Sequence, residues 1–172
     1  VNQRRPTERA AAAIAVLQTA RQHGFDGDYG AADLLAMSQA VESIDKDSPE
    51  RLRHNAEFDA RLTAALLSLA RDVAIGRRPA PQRQARRKAP DYLAALTKVA
   101  DGDPKDFVAM VRPPHPEYAA LQQALDALHG QKEKGGWPRV PGVSKPGSSG
   151  AGVAALRQRL AISGHLKADP AA

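Results

Sequence analysis

The stretch from Pro49 to Ile75 constrains the fold more than any other part of the chain. It carries no internal Gly or Pro, and Leu62, Ala65, Leu66, Leu69 and Val73 recur at i, i+3, i+4, i+7 and i+11. That is the period of a long helix with one buried stripe, and Gly76 supplies its stop. Such a helix needs apolar partners along its length. With three Phe, three Tyr and one Trp in 172 residues, those partners must be mostly Leu, Ala, Val and Ile. Few stretches alternate like half-buried strands. The expected fold class is all-α.

Other segments fit around this helix. Residues 7–22 read as a first helix, with Thr7 as cap and Ala10, Ala13, Ile14, Leu17 and Ala20 at helical spacing. Gly24 ends it, and Phe25-Asp-Gly-Asp-Tyr29 is a turn. A second helix is expected over 31–44, with Leu34, Leu35 and Val41 inward. Helices resume over 91–100 and 104–110. Residues 113–118, Pro-Pro-His-Pro-Glu-Tyr, cannot begin as helix, because prolines restrict themselves and their predecessors. They lead into a helix with Tyr118, Leu121, Leu125 and Leu128 on one face, started by Pro116. A last helix, 151–163, aligns Val153, Leu156 and Leu160. The expected organisation is a helical domain over 1–130, a Gly/Pro-rich junction over 131–150 and the first helix of an incomplete module over 151–172.

A formal charge of +6 and a pI near 9.9 favour anionic partners. Six cations and no acid lie between Arg77 and Lys88: Arg77, Arg78, Arg83, Arg86, Arg87 and Lys88. This run could contact phosphates or another anionic polymer, or be a solvated loop. No aromatic interleaves it and no base-reading helix follows, so nucleic acid is not the expected partner. No apolar run approaches the ~20 residues that span a bilayer. The chain opens on Val1 rather than Met, which leaves room for a removed export signal or an upstream membrane anchor.

The zero cysteine count excludes disulfides, thiolate metal sites and a Cys nucleophile within these residues. His23, His54, His115, His129 and His165 are scattered without metal-ligand spacing, and no metal or cofactor is expected. Ser148 and Ser149, in Gly-Ser-Ser-Gly, lack a nucleophile elbow and read as linker. Aspartates 26, 28, 45, 47, 101 and 103 fall in turns, where capping suffices to explain them. Trp137 could stack on a sugar ring, but its Gly and Pro neighbours suit a buried anchor at the junction. Trp137, Pro138, Leu156 and Leu160 are the expected structural junction. No catalytic residue emerges.

Four segments, in order, resemble the N-terminal scaffold region of large L,D-transpeptidases of the YcbB type. They are His23-Gly24-Phe25-Asp26 with Tyr29; Phe58-Asp-Ala-Arg-Leu-Thr-Ala-Ala-Leu-Leu with Ala70-Arg-Asp-Val-Ala-Ile-Gly76-Arg77 and Pro81; Pro113-Pro-His-Pro-Glu-Tyr118 with Leu121 and Leu125; and Gly135-Gly-Trp-Pro138 with Pro146-Gly147, Leu156-Arg-Gln-Arg159-Leu160 and Gly164-His-Leu166. The resemblance covers nearly the whole chain.

It implies a helical scaffold that belongs with a peptidoglycan-binding-type module and a catalytic domain of the same polypeptide, facing the periplasm. The family's catalytic domain uses a Cys thiolate to transfer an acyl group between peptidoglycan stems. No residue of this chain matches that Cys, so the carry-over gives no catalytic site. The implied role is a non-catalytic part of a cell-wall cross-linking enzyme, with peptidoglycan as partner. A free-standing wall-binding adaptor and a nucleic-acid binder acting through the basic run are the other two readings.

Overall fold

A computed structural model describes residues 8–77, 90–142 and 145–167, the side chains of residues 98, 99 and 101 excepted. Among the described residues the fold is all-α. In chain order the helices are α1 (Glu8–Gln18), α2 (Ala31–Ala40), α3 (Pro49–Ile75), α4 (Tyr92–Asp101), α5 (Asp106–Val111), α6 (Pro116–Glu133) and α7 (Ala151–Ile162). Short 3₁₀ turns over Thr19–His23 and Val41–Ser43 tighten the ends of α1 and α2. The first two expected helices therefore end sooner than their apolar periods suggested, each in the tighter winding common at helix ends. Thr7 lies outside the described residues.

The bounds of α3 are chemically marked. Ser48, in extended backbone, accepts a hydrogen bond from the Arg51 N–H at 3.1 Å, and Pro49 occupies the first helical position. Gly76 takes a φ of 91° at the other end, and its N–H donates to the Asp72 carbonyl at 2.8 Å. A residue with a side chain is strained there, so the helix stops where the sequence offers glycine.

Two compact units divide the chain at residues 122 and 123, within α6. In the first, α1 packs on α2 and α3, α2 on α3, α5 on α3, and α4 on α5. The core runs through Ile14, Leu17, Phe58, Leu66, Leu69, Val73 and Phe107. Leu17, Leu69 and Phe107 are wholly buried. Arg51 is buried too, at 3 % exposure, and Nη1 donates to the Val41 and Ile44 carbonyls, both at 2.8 Å. Its charge thus sits against the carbonyl end of α2 and the turn that extends it, where a cation is favoured.

Three expectations need correction. Leu35 is exposed rather than inward, because it lies off the face that Ala31 and Leu34 turn to the core. Leu121 and Leu128 are exposed as well, and α6 buries no residue. In the second unit, α7 likewise buries none, and Val153, Leu156 and Leu160 are half-buried.

Candidate functional site

Residues from the first three of the four resembling segments meet in the first unit. Tyr29 ends the turn before α2 with a φ of 53°, a left-handed conformation uncommon for an aromatic residue. Its hydroxyl donates to Asp72 Oδ2 at 2.7 Å. Arg77, two residues past the end of α3, donates from Nε to the same oxygen at 2.8 Å and from Nη1 to the Asp26 carbonyl at 3.0 Å. Its guanidinium lies 5.0 Å from the Tyr29 ring centre and 5.4 Å from that of Phe25. The two rings meet edge to face. One turn and one helix end are thereby held by a carboxylate, a cation and two aromatic faces.

The electrostatics follow from this geometry. Burial, reinforced by the hydrogen bond to Asp72, pushes the Tyr29 phenol up to about 12. The bond to Asp72 also raises the Arg77 guanidinium above its ordinary value. Both groups therefore keep fixed protonation states across neutral pH. Such an arrangement holds a shape and does not shuttle protons. Beside it, hydrogen bonds from the Ala32 and Gly30 N–H groups hold the Asp28 carboxyl below the usual carboxylate range, and the bond from Ala32 satisfies a donor in the first turn of α2.

A second joint links the first motif to the third. Tyr118 Oη lies 2.7 Å from His23 Nδ1, and Gln122 Nε2 lies 3.1 Å from the same nitrogen. With the amide donating, Nδ1 accepts. The His23 and Tyr118 rings are stacked, 6.0 Å between centres. His23 is thus a joint between the end of α1 and the start of α6. His54 is one as well, with Nε2 2.8 Å from the Met37 carbonyl.

Of the expected polymer-binding cations, only Arg77 lies among the described residues. Its charge already faces Asp72, although nearly half its side chain is exposed. Arg78, Arg83, Arg86, Arg87 and Lys88 fall outside them. In the second unit Trp137 is 47 % exposed, which corrects the expected buried anchor. Pro138, Leu156 and Leu160 are half-buried. The physical reason lies in the local chain: Gly135 and Gly136 shape the backbone path there but bring no side chains to cover the indole.

Two open grooves mark the first unit. One, of about 310 Å³, runs along Ala74, Pro90, Met110, Arg112 and His115. The other, of about 290 Å³, lies between α2 and α3 over Leu34, Met37 and Ala65, with Asp33 and Arg61 in its wall. Neither lining pairs a nucleophile with a base. No cluster of potential metal ligands exists among the described residues, and no described helix is long and apolar enough to cross a membrane.

Sequence reasoning quoted Tyr29 and Asp72 as motif letters and missed their pairing, which spans 43 positions. Charge gave the only available signal, an Asp one helical turn before the terminal Gly76-Arg77. No curated protein and no solved structure matches the chain. The family model of the Scaffold domain does, over residues 1–125, and these are the residues that form the joints, so the chain belongs to the Scaffold domain family.

Proposed function

We propose that the chain is the non-catalytic scaffold region of an L,D-transpeptidase of the YcbB type, acting in peptidoglycan cross-linking at the periplasmic face of the inner membrane. One observation carries the reading. Residues of the first three resembling segments are used as joints, Tyr29 and Arg77 on Asp72 and His23 on Tyr118, within the residues that match the Scaffold domain. A fold whose distinctive polar residues fasten its own helices is suited to hold something else in place. In this reading that is a Cys-bearing catalytic domain of the same polypeptide, with the wall as substrate.

The test uses the protein encoded by the whole reading frame. Incubated with disaccharide-tetrapeptide donors, it should form cross-linked dimers detectable by mass spectrometry, and thiol alkylation should stop the reaction. Absence of dimers, or a reading frame with no Cys-bearing domain, overturns the proposal. Salt-sensitive sedimentation with purified sacculi, in the absence of such a domain, would instead support the free-standing adaptor. The basic composition keeps that second reading in view.

A further inference from the structure

Charge is unevenly distributed along this chain. Residues 123–172 carry seven Lys and Arg against three Asp and Glu, a formal +4. Residues 1–122 carry eighteen against sixteen, and six of those eighteen fall between Arg77 and Lys88. The basic second unit also holds the single tryptophan of the protein.

The turn that carries Trp137 is ordered by its backbone. Gly135 and Gly136, with φ of 100° and 74°, close the end of α6 in left-handed conformations open to glycine. The Gly135 N–H donates to the Lys132 carbonyl at 3.1 Å and the Gly136 N–H to the Gln131 carbonyl at 2.9 Å. The Gln131 side chain then donates from Nε2 to the Gly136 carbonyl at 2.8 Å. Pro138 follows with its fixed φ. A Cβ added at either glycine would meet nothing within 4 Å, so the turn itself is open, and Trp137 is 47 % exposed. Trp137 stacks on no other ring among the described residues. Lys132, Lys134 and Arg139 are exposed within five residues of it.

An exposed indole on a rigid turn, with cations at its sides, matches the chemistry of an acidic sugar polymer. The flat C–H face of a pyranose stacks on the ring, the Nε1–H serves a hydroxyl or acetamido oxygen, and carboxylates reach the cations. A dense polyphosphate fits less well. A single ring gives only one stacking step. A lipid surface would ask for an apolar face, and the immediate neighbours of Trp137 are Gly, Gly, Pro and Arg.

We propose that Trp137 is the platform of a carbohydrate-binding site for an acidic polysaccharide of N-acetylated pyranoses. Lys134 and Arg139 make its charge contacts, and Gln131 acts as a positioning residue. The choice of polymer rests on the wall-associated reading above; the platform itself does not.

The test exploits the single tryptophan, whose emission reports this site alone. The 172-residue chain is titrated with soluble peptidoglycan glycan strands stripped of peptide, with neutral chitooligosaccharides and with phosphatidylglycerol vesicles. Glycan strands should shift and quench the emission saturably. Trp137→Ala, followed by calorimetry, should weaken binding by about tenfold or more, and Trp137→Phe should restore most of it. Arg139→Glu should weaken acidic strands several-fold and leave the neutral oligosaccharide unchanged. Circular dichroism checks that each variant keeps its helices.

No emission change with glycan strands, a response to vesicles alone, or undiminished binding by Trp137→Ala overturns the proposal. Equal affinity of Arg139→Glu for acidic strands removes the assigned charge contact. Failure of the cross-linking reaction with this binding intact would sink the transpeptidase reading and leave the platform standing. Loss of binding with cross-linking intact would do the reverse.

Discussion

The two units use similar amino acids to opposite ends. Every residue found buried lies between Ala13 and Val111, where five helices share one core. In residues 123–167, α7 buries nothing, and Leu128, Trp137, Ile162 and Leu166 are exposed. Leu and Ala at helical spacing occur in both units. The difference is the presence of neighbours: a stripe becomes core only where two or more other helices face it. The first unit draws its stability from burial; the second draws its order from helix hydrogen bonds and turns.

The largest expected effect tests this contrast directly. Phe107 is wholly buried in the first unit, and Phe107→Ala should destabilise it by about 3–5 kcal/mol. Thermal unfolding followed by circular dichroism should show the fall. The emission of Trp137, which belongs to the second unit, should not follow that transition. Coincident transitions that move together in Phe107→Ala would mean that the units fold as one, and the contrast would be broken.

Next comes the joint on Asp72. One carboxylate oxygen accepts from both Tyr29 and Arg77; Asp72→Ala leaves the part-buried Tyr29 hydroxyl without its acceptor, while water can replace Asp72 at the exposed Arg77, and the loss should be about 1 kcal/mol. Tyr29 adds a pH signature. Its phenol pKa is raised from 10.0 to about 12 in the folded protein. Its contribution is therefore fully present below pH 10 and is lost as the pH rises from 10 through about 12. Tyr29→Phe should flatten that stretch of the stability curve, and Phe107→Ala should not.

These joints also show what was legible in the sequence. The helices were, because period, prolines and glycines act locally: Pro49, Ile75 and Gly76 mark α3 without reference to the rest of the chain. Long-range pairing was not. Nothing local says that Tyr29 meets Asp72 or that His23 meets Tyr118, 95 positions away. Leu121 and Leu128 illustrate the same limit for burial, since their spacing on α6 matches a core stripe and no core covers them. Trp137 failed for a related reason. Its glycines were read as tight packing, whereas a left-handed turn needs them to hold the ring out.

Capping sharpens the contrast at smaller scale. In the first unit, Ser48 caps α3 and the Asp28 carboxylate accepts from the Ala32 N–H in the first turn of α2, while Gly150 before α7 offers no side-chain cap. Asp28→Ala and Ser48→Ala should each cost about 1 kcal/mol in thermal unfolding. Because the Asp28 carboxyl is held low, its contribution is present above its ordinary value of 3.8 and is lost as the pH falls through the folded value. Asp28→Asn should remove that acid dependence. An unchanged acid limb would assign the low-pH loss of stability to other carboxylates.

The smallest effect is expected at Leu156. In a packed core, truncating a leucine costs about 2–5 kcal/mol because a cavity remains. Leu156 is half-buried on a helix without buried neighbours, so its truncation opens no enclosed cavity. Leu156→Ala should shift the main unfolding transition by less than about 0.5 kcal/mol, and alanine's higher helix propensity offsets part of even that. Amide exchange across α7 should be fast in the wild type and little faster in the variant. A loss as large as that of Phe107→Ala would mean that Leu156 is covered in solution, and the second unit would then have a core of its own to account for.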